Sequence, residues 1–502
     1  MAIRKTSAKG VWLTALFAIA GPARAVERPV FPLTVHSSGR YLVDRGGKPF
    51  RIHGDAPWDY LIRLSPAEAD LYLANRAAKG FNALLVELIE PKRWAPRSLA
   101  PDTYDGIPPF QRPGDFATPN DAYFDRVADL VDRAAAHGMA VLLTPAYLGY
   151  AGRDEGWWPE LNRPENTREV CRGFGKYLAS GAGGSFRGLR DRTNIVWVEG
   201  GDFFPPPGAE ATLRARAIME GLRQGGATQL QTGHWSEEHI SADQPDFAAA
   251  MEVNAVYTYG AGHDGKTYTQ GRRAYAFARG VPPKALPAFL IETEYEVAAP
   301  WILPRSVQRY ADAAYRFLLS AIGWKGAPTR PEKIRQCLYW GYLSSVGGAV
   351  FGNDQVWRFD RRWRRNLDAA GSLDMQHLGA LLDSIPWYDL VPSHLAEFSN
   401  VYLVAGGADV AAGGDVAAAA TRAGSALLAY VASSGTSART VTVDLSVLRG
   451  PARARWFNPT SGAYVEIADA LPARVQRFTT PGDNGTGSND WVLVVRAGPS
   501  SP

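Results

Sequence analysis

The chain contains 502 residues, of which 46% are hydrophobic and 21% are charged. This composition indicates two or three folded domains and excludes a largely disordered protein. Residues 1–25 carry four basic residues and no acidic residue, which accounts for the whole formal charge of +4, so the rest of the chain is neutral and a large basic surface for nucleic acid is excluded.

The first 25 residues have the three parts of a secretory signal. Arg4, Lys5 and Lys9 precede an apolar run over 11–20, and residues 23–25 form a small-x-small cleavage site. This run is too short to span a bilayer comfortably, and no other continuous apolar stretch reaches that length. We predict cleavage after Ala25, a secreted or periplasmic protein and no membrane partner; an uncleaved anchor is the open alternative.

Residues 26–395 alternate between strand-like and helix-like segments after an N-terminal β-hairpin that turns at Arg45-Gly46-Gly47. The apolar runs are continuous rather than alternating, as is typical of strands buried on both faces of a parallel sheet. The strand candidates are Arg51–Gly54, Asn82–Ile89, Met139–Ala146, Asn194–Val198, Thr228–Gly233, Asn254–Tyr259, Ala288–Glu292 and Gly348–Gly352. The helix candidates are Ser65–Gly80, Asn120–Ala136, Glu165–Ala179, Ala209–Gln224, Arg272–Arg279, Val307–Ile322 and Asp374–Ile385. Eight strands, most of them separated by helices, predict an α/β fold, the (β/α)8 TIM barrel.

Residues 396–502 differ from the barrel in composition. The stretch 404–424 is rich in Gly and Ala and has no helical caps, and short alternating segments with turn residues between them follow. The predicted strands are Ala426–Ala432, Thr440–Leu445, Ala452–Phe457, Val475–Thr479 and Trp491–Val495. This pattern predicts a small C-terminal β-sandwich.

Two cysteines are present, Cys171 and Cys337. Two cysteines do not make a disulfide framework, even in an exported protein. Buried free thiols are therefore favoured, and a disulfide between them stays open.

Carboxylates follow two of the predicted barrel strands. Glu199-Gly200-Gly201-Asp202 ends the fourth strand and Glu292-Thr293-Glu294-Tyr295-Glu296 ends the seventh. Reactive groups of (β/α)8 barrels lie at the carboxyl ends of the strands, and buried charge is costly unless it is used. Two carboxylates on either side of a glycosidic bond carry out glycoside hydrolysis. The alternative is that these acids only hold backbone amides or arginines.

The other strand ends carry aromatic and polar residues that can stack on sugar rings or bond sugar hydroxyls. The residues predicted to bind substrate are Asp55, Trp58, Glu87, Tyr147, Glu199, His234, Trp235, Tyr257, Tyr259, Glu294, Tyr295, Asn353, Asp354 and Trp357. Each of them, taken singly, is as well explained by a core or rim position.

Two further patterns resemble cofactor or metal motifs but lack the sequence context or the spacing that those motifs need. Residues 260–265 fit G-x-G-x-x-G but occur late, with no nucleotide-binding unit around them. His234 and His239 are five residues apart, whereas the zinc motifs need a spacing of four. We therefore predict no cofactor and no metal.

Several motifs together resemble one enzyme family. They are His53-Gly54-Asp55-Ala56-Pro57-Trp58, residues 73–82, residues 119–125, Trp197–Asp202 and Glu292–Glu296. From about residue 30 to 395 the chain resembles the apiosidase-like glycoside hydrolases, family 140 and its relatives. The tail, with Trp456–Gly462, is similar to the β-domain named for collagen binding that usually follows in that family.

The resemblance implies a (β/α)8 barrel and a retaining mechanism. It places the acid/base on Asp202 and the nucleophile on Glu292, and it implies an apiose-containing side chain of the pectin rhamnogalacturonan-II as substrate. The chain departs from the family at 351–353, which reads Phe-Gly-Asn, and at 257–263. Both segments shape the sugar pocket, so the sugar specificity stays open.

Two functions remain at this point. The first is a secreted retaining glycoside hydrolase that removes a terminal sugar, with apiose as the candidate, from pectic polysaccharides of the plant cell wall. The second is a non-catalytic protein that binds carbohydrate or matrix on a barrel scaffold. The presence of both Asp202 and Glu292 favours the enzyme. The sugar linkage, the oligomeric state and the ligand of the tail are not predicted.

Overall fold

A parallel eight-stranded sheet forms the centre of the structure. The computed structural model describes residues 28–90, 101–153, 155–259, 266–280, 284–296, 331–393, 402–406, 416–432 and 435–498. The strands of this region are β1 (Thr34–Val35), β2 (Leu42–Val43), β3 (Pro49–Phe50), β4 (Ile52–Asp55), β5 (Ala83–Glu87), β6 (Ala140–Thr144), β7 (Ile195–Gly200), β8 (Gln231–His234), β9 (Asn254–Tyr257), β10 (Ala278–Arg279), β11 (Lys284–Ala285), β12 (Ala288–Glu292) and β13 (Val346–Phe351). The short strands β1–β3 make the N-terminal antiparallel sheet, and β10 pairs with β11.

The eight central strands follow the order β8-β7-β6-β5-β4-β13-β12-β9. The two ends of this order, β8 and β9, touch each other, so the sheet nearly closes into a barrel. Successive side chains of β7 alternate between two cores. Val196 and Val198 face the barrel interior, whereas Ile195 and Trp197 face the helices. Every predicted barrel strand belongs to this sheet, which confirms the (β/α)8 prediction.

Helices cover the outside of the sheet. They are α1 (Tyr60–Arg63), α2 (Pro66–Ala78), α3 (Asp121–Ala136), α4 (Trp158–Leu161), α5 (Arg168–Ser180), α6 (Glu210–Gln224), α7 (Lys266–Ala276), α8 (Pro331–Ser345), α9 (Trp363–Asn366) and α10 (Ala370–Asp383). Ser65 and Glu68 form the predicted capping box of α2, each satisfying a backbone N–H of the first turn.

The structure differs from the predicted helices in several places. The helix predicted over 272–279 begins earlier and ends at Ala276, and α8 was not predicted. Two short 3-10 turns, Ser241–Asp243 and Ala248–Ala250, are the helical segments that connect β8 to β9. The signal sequence, the Gly-rich motif at 260–265 and the helix predicted over 307–322 lie outside the described residues. In the described part of the chain, no helix is both long and apolar enough to cross a membrane.

The C-terminal region is antiparallel. Its strands are β14 (Leu390–Pro392), β15 (Leu403–Ala405), β16 (Val416–Thr421), β17 (Ala426–Val431), β18 (Thr440–Asp444), β19 (Ala452–Phe457), β20 (Tyr464–Leu471), β21 (Val475–Thr479) and β22 (Trp491–Ala497). They form a six-stranded sheet, β14-β16-β17-β22-β19-β20, and a three-stranded sheet, β15-β18-β21. A buried cluster that draws residues from both sheets lies between them, which confirms the predicted β-sandwich.

The sandwich packs against α8 of the barrel. Arg335 of α8 donates two hydrogen bonds to the Asp490 carboxylate, at 2.8 and 2.9 Å. Beside this pair, the rings of Tyr339 and Tyr430 stack in parallel with their centres 4.5 Å apart. A single buried apolar cluster runs from the barrel helices into β16, β17 and β22, so the two regions share a core. Cys171 and Cys337 are buried free thiols, as predicted.

Candidate active site

The turn after β7 has an unusual backbone that carries Asp202 to the barrel mouth. Gly200, Gly201 and Asp202 have φ angles of 90°, 121° and 49°, all of them positive. A β-carbon on Gly201 would lie 2.1 Å from the Tyr147 ring, and one on Gly200 would lie 2.4 Å from the His234 carbonyl oxygen. Only glycine fits these two positions, and the chain reverses there so that Asp202 faces the end of the barrel.

Asp202 and Glu292 lie close together, although they are ninety positions apart in the sequence. One carboxylate oxygen of each residue and one ring nitrogen of His234 all lie within 4.8 Å of one another. The Tyr147 hydroxyl donates a hydrogen bond of 2.6 Å to Asp202 Oδ2. The sequence predicted this meeting of strand ends four and seven at one mouth.

Glu292 is almost completely buried and is held from one side by an aromatic pair. The Tyr295 hydroxyl hydrogen-bonds to its carboxylate, and Trp58 Nε1 donates to that hydroxyl at 2.6 Å. Burial and the negative charge of Asp202 raise the pKa of Glu292 to about 7, while the contacts with His234 and Tyr295 act in the opposite direction. Near neutral pH the two acids therefore hold about one proton between them.

His234 lies between the two acids and is fully buried. Its Nε2 is 2.9 Å from Glu292 Oε2 and 3.5 Å from Asp202 Oδ1. On the other side of the ring, Nδ1 accepts a hydrogen bond of 3.4 Å from the backbone N–H of Asp202. Burial disfavours the charged imidazole, but the contact with Glu292 and the charge of Asp202 raise its pKa overall.

Further carboxyl groups surround Asp202. Glu87 points into the mouth from β5, and burial followed by the charges of Asp59, Glu90 and Asp202 raises its pKa well above the usual value. Glu155, in the loop after β6, has its pKa raised to about 7 by burial and by the charge of Asp202. The sequence did not single out Glu155, because it follows no apolar run and only its place in a Gly-rich loop marks it.

Aromatic rings line the mouth around the acids. Tyr257 meets the His234 ring edge-on at 4.6 Å between centres, and Tyr259 meets Tyr295 in the same way at 5.6 Å. Trp58 packs at 5.6 Å from Tyr147. These residues were all predicted from strand ends, and the structure brings them to the same mouth as Asp202 and Glu292.

Three of the predicted residues lie on the outer side of the strands. The Asp55 carboxylate accepts hydrogen bonds from Tyr72 at 2.5 Å and from Arg76 at 2.6 Å, so it anchors α2. Glu199 shares the outer face of β7, where burial raises its pKa to about 8 against the effect of Arg223. Trp235 is buried in the helix layer and donates to the Ser241 carbonyl.

Of the predicted residues after β13, Asn353 supports Glu296, and Trp357 packs in the barrel interior with the aromatic residues of the mouth. The Asn353 side chain donates to Glu296 at 3.1 Å, and Glu296 also accepts the backbone N–H of Gly371. The Asp354 carboxylate accepts from Trp357 Nε1 at 3.3 Å. Glu294 also lies after β12, and its charge acts on Tyr259 of the mouth as well as on Cys337 of α8.

Among the described residues, Asp202, His234 and Glu292 converge closely enough to be considered as metal ligands. A metal-binding imidazole presents a lone pair to the ion and donates its other N–H. Here Nδ1 accepts the N–H of Asp202, which leaves the ring proton on Nε2, facing the two carboxylates. The donor set therefore presents a proton, not a lone pair, to the centre of the cluster.

Two family models match the chain, and solved structures of glycoside hydrolases resemble it. Residues 36–389 match the family described as "Apiosidase-like, catalytic domain", and residues 408–496 match "Putative collagen-binding domain of a collagenase". The search of curated proteins found no match. A solved structure described as a glycoside hydrolase is 18% identical, with a TM-score of 0.70 over 94% of this chain and 100% of that chain. A glycoside hydrolase family 5 protein from Bacteroides vulgatus ATCC 8482 is 20% identical, with a TM-score of 0.70 over 93% of each chain, and at these identities the likeness shows a shared fold.

Proposed function

The chain belongs to the apiosidase-like family of glycoside hydrolases, and from this premise we propose that it is a secreted, retaining, exo-acting glycosidase. The observation that carries this proposal is the approach of Asp202 and Glu292 oxygens to within 4.8 Å. The carboxyl groups of retaining enzymes are about 5–5.5 Å apart, whereas inverting enzymes need about 6.5–9.5 Å to admit a water. The spacing therefore favours a covalent intermediate.

Glu292 is the proposed nucleophile. Its charged form accepts a hydrogen bond from Tyr295, and Trp58 fixes the Tyr295 hydroxyl in turn. The ionised carboxylate attacks the anomeric carbon, the bond to the leaving oxygen breaks, and a glycosyl ester on Glu292 forms.

Asp202 is the proposed acid and base. Its carboxyl group is 18% exposed, more than that of Glu292, so the leaving group and water can reach it. It gives its proton to the leaving oxygen in the first step and takes a proton from the attacking water in the second. The positive-φ turn at Gly200-Gly201 brings this short side chain to the bond that breaks.

The proposed substrate is a terminal sugar, with apiose as the candidate, on a pectic side chain of the plant cell wall. The family match supports the apiose class, and the signal-like residues 1–25 support export to the medium or periplasm. Tyr257 and Tyr259 replace the usual family residues in the mouth, and the Phe-Gly-Asn segment at 351–353 replaces them beside it, with Phe351 in the helix-side core. Fragments with other terminal sugars therefore belong in the same substrate screen.

The stereochemistry of the product tests the mechanism. We expect proton NMR of the first sugar released, from pectic fragments or an aryl glycoside, to show the anomeric configuration of the substrate. Glu292→Ala abolishes turnover, whereas Glu294→Ala, on the same segment, keeps it. An inverted product would contradict the retaining mechanism. No release from any glycoside, together with measurable binding of pectic fragments, would favour the non-catalytic alternative.

The leaving group separates the two acids. Asp202→Ala is expected to lose least activity on aryl glycosides with activated phenols, because such leaving groups need little protonation. Azide should attack the intermediate in this variant and yield a glycosyl azide of retained configuration. An inverted glycosyl azide would instead make Asp202 the nucleophile.

A further inference from the structure

The imidazole of His234 lies between the two acids, and the roles assigned above leave it unused. We propose that His234 is a positioning residue that keeps one proton on Nε2 and directs it to whichever of Glu292 and Asp202 is negatively charged. This inference rests on the proposed retaining mechanism, in which the negative charge moves from Glu292 to Asp202 and back.

The backbone of the Gly-Gly-Asp turn selects the tautomer. The N–H of Asp202 donates to Nδ1 at 3.4 Å, so Nδ1 presents its lone pair and the proton belongs on Nε2. An imidazolium would place a second proton against this donor. With both acids ionised, their charges favour the imidazolium, but a protonated Asp202, which the first step requires, removes one of those charges.

The Nε2–H group lies within reach of both acids and is closer to Glu292. Nε2 is 2.9 Å from Glu292 Oε2 and 3.5 Å from Asp202 Oδ1, yet none of these three atoms makes an aligned hydrogen bond. Buried polar atoms rarely lack an aligned hydrogen bond. These three atoms belong to the groups between which charge moves in the reaction.

The two acids are anchored on their other sides. Tyr147 holds Asp202 Oδ2 at 2.6 Å, and Tyr295 hydrogen-bonds to the Glu292 carboxylate. The oxygens that face His234 are therefore fixed in position while their charge changes. The ring itself is fully buried, with Tyr257 4.6 Å and Trp58 5.7 Å away between ring centres. A small tilt of the imidazole is enough to favour one oxygen or the other.

The charges balance at every step without a proton leaving His234. In the free enzyme Glu292 is ionised, Asp202 carries a proton, and Nε2–H is directed at Glu292. After glycosylation Glu292 is a neutral ester and Asp202 is ionised, so the stronger, charge-assisted hydrogen bond is now to Asp202. Hydrolysis of the ester restores the first arrangement, because water gives one proton to Asp202 and Glu292 leaves as a carboxylate.

The kinetic test uses His234→Ala, His234→Gln and the control His239→Ala, which removes a histidine that packs on Phe204. We expect His234→Ala to lower kcat about a hundredfold, as for loss of one preorganised donor, with KM little changed. The loss appears with activated and unactivated aryl glycosides alike, because both chemical steps use the donor. The acidic limb of the pH profile moves to higher pH, since ionised Glu292 loses a donor. His234→Gln, which keeps an N–H, recovers part of the rate.

Kinetic and spectroscopic outcomes can each overturn the proposal. An increase in KM alone would make His234 a substrate-binding residue, and an unchanged acidic limb would remove its link to Glu292. Nitrogen-15 NMR of the histidine-labelled native enzyme, at the pH of highest turnover where Asp202 holds its proton, reads the tautomer without any substrate; we expect Nε2–H, and the Nδ1–H form or an imidazolium would contradict the inference. An inverted product from the native enzyme would defeat the retaining mechanism instead, whereas a retained product with a native-like His234→Ala profile defeats only this inference.

Discussion

At the scale of single residues, the position of Asp202 depends on the absence of two β-carbons. We predict that Gly201→Ala lowers turnover at least a hundredfold and the free energy of unfolding by a few kcal/mol, because φ is 121° and the new methyl group meets the Tyr147 ring. Gly208→Ala is the matched control, since φ is also positive, 71°, but no atom lies within 4 Å of the new methyl group.

Denaturant unfolding and kcat/KM measure the two effects. The control should lose about 1 kcal/mol and no turnover. Equal losses in the two variants would show that positive φ alone, and not the contact with Tyr147, sets the requirement for glycine.

The charge of Asp202 also affects the ionisation of Glu292. With Asp202 ionised, burial and that charge raise the pKa of Glu292 to about 7, whereas the reactive form has its proton on Asp202 and carries no such charge. We predict that Asp202→Asn, which is neutral at every pH, keeps the acidic limb of kcat/KM, measured with an activated aryl glycoside, at its native position and loses the alkaline limb. Tyr147→Phe, which keeps both carboxyl groups and removes the hydrogen bond to Asp202, is the control and should keep both limbs. An alkaline limb that remains in Asp202→Asn would show that the two acids do not share the proton.

At the scale of the strand, the two-residue period decides which acids reach the mouth. The sequence places both acids at the end of β7. Glu199 faces outward with Trp197, and the positive-φ turn then returns Asp202 to the mouth. The sequence showed that Gly200-Gly201 can turn; it did not show in which direction, because that depends on Tyr147 and His234 from two other strands.

The outward position of Glu199 has a consequence for stability. Its pKa in the folded protein is raised to about 8, so between the unfolded value near 4.5 and pH 8 the folded state holds a proton that the unfolded state has released. Stability of the native protein therefore falls as pH rises through this interval. We predict that Glu199→Gln is neutral at pH 4.5 and stabilises the protein by roughly 1–3 kcal/mol at pH 8.5.

Urea unfolding at the two pH values measures this difference, and turnover is measured on the same samples. Glu199→Gln should keep its activity, because its side chain lies outside the barrel. A large loss of turnover would instead transfer the acid/base role from Asp202 to Glu199. Glu237→Gln, at a partly exposed acid after β8, is the control and should change the free energy of unfolding by less than about 0.5 kcal/mol.

The hydrophobic periodicity of the sequence did not predict helix α8. An amphipathic stripe reveals a helix only when one face meets water, and the residues of α8 from Ile334 to Ser345 are all buried. One side of α8 packs on the barrel strands, and the other packs on the C-terminal sheet. Its sequence therefore has no polar face to give the period. The β-strand Val416–Thr421 was not predicted for a related reason. Its run of alanines is buried on both faces and shows no alternation of polar and apolar residues.

At the scale of the whole molecule, the two regions behave as parts of one core. The composition change near residue 395 separates two fold classes, but the first strand of the C-terminal sheet, Leu390–Pro392, precedes it. Sequence patterns show which residues are buried within a region; they do not show that Arg335 and Asp490, far apart in the chain, form an ion pair across the boundary. All the acids of the mouth in the described part of the chain come from the barrel, so we assign the sandwich to stability.

The ion pair of Arg335 gives the last prediction. Asp490 is completely buried, accepts two hydrogen bonds from Arg335 and is also bonded by Tyr430 and Asn484. Removing one partner of a buried pair leaves the other charge uncompensated, at a cost of about 3–5 kcal/mol.

We predict that Asp490→Asn lowers the free energy of unfolding by about 3 kcal/mol, since Asp374 remains 3.0 Å from Arg335. At temperatures well below its unfolding midpoint the variant keeps native kcat/KM, because the mouth residues that the structure describes come from the barrel. Glu466→Gln is the matched control in the same domain: its pair with Arg453 at 2.8 Å is half exposed and contributes less than about 1 kcal/mol. Equal losses in the two variants would show that the Arg335 pair does not hold the interface. A loss of kcat/KM in Asp490→Asn without a loss of stability would instead give the sandwich a part in turnover.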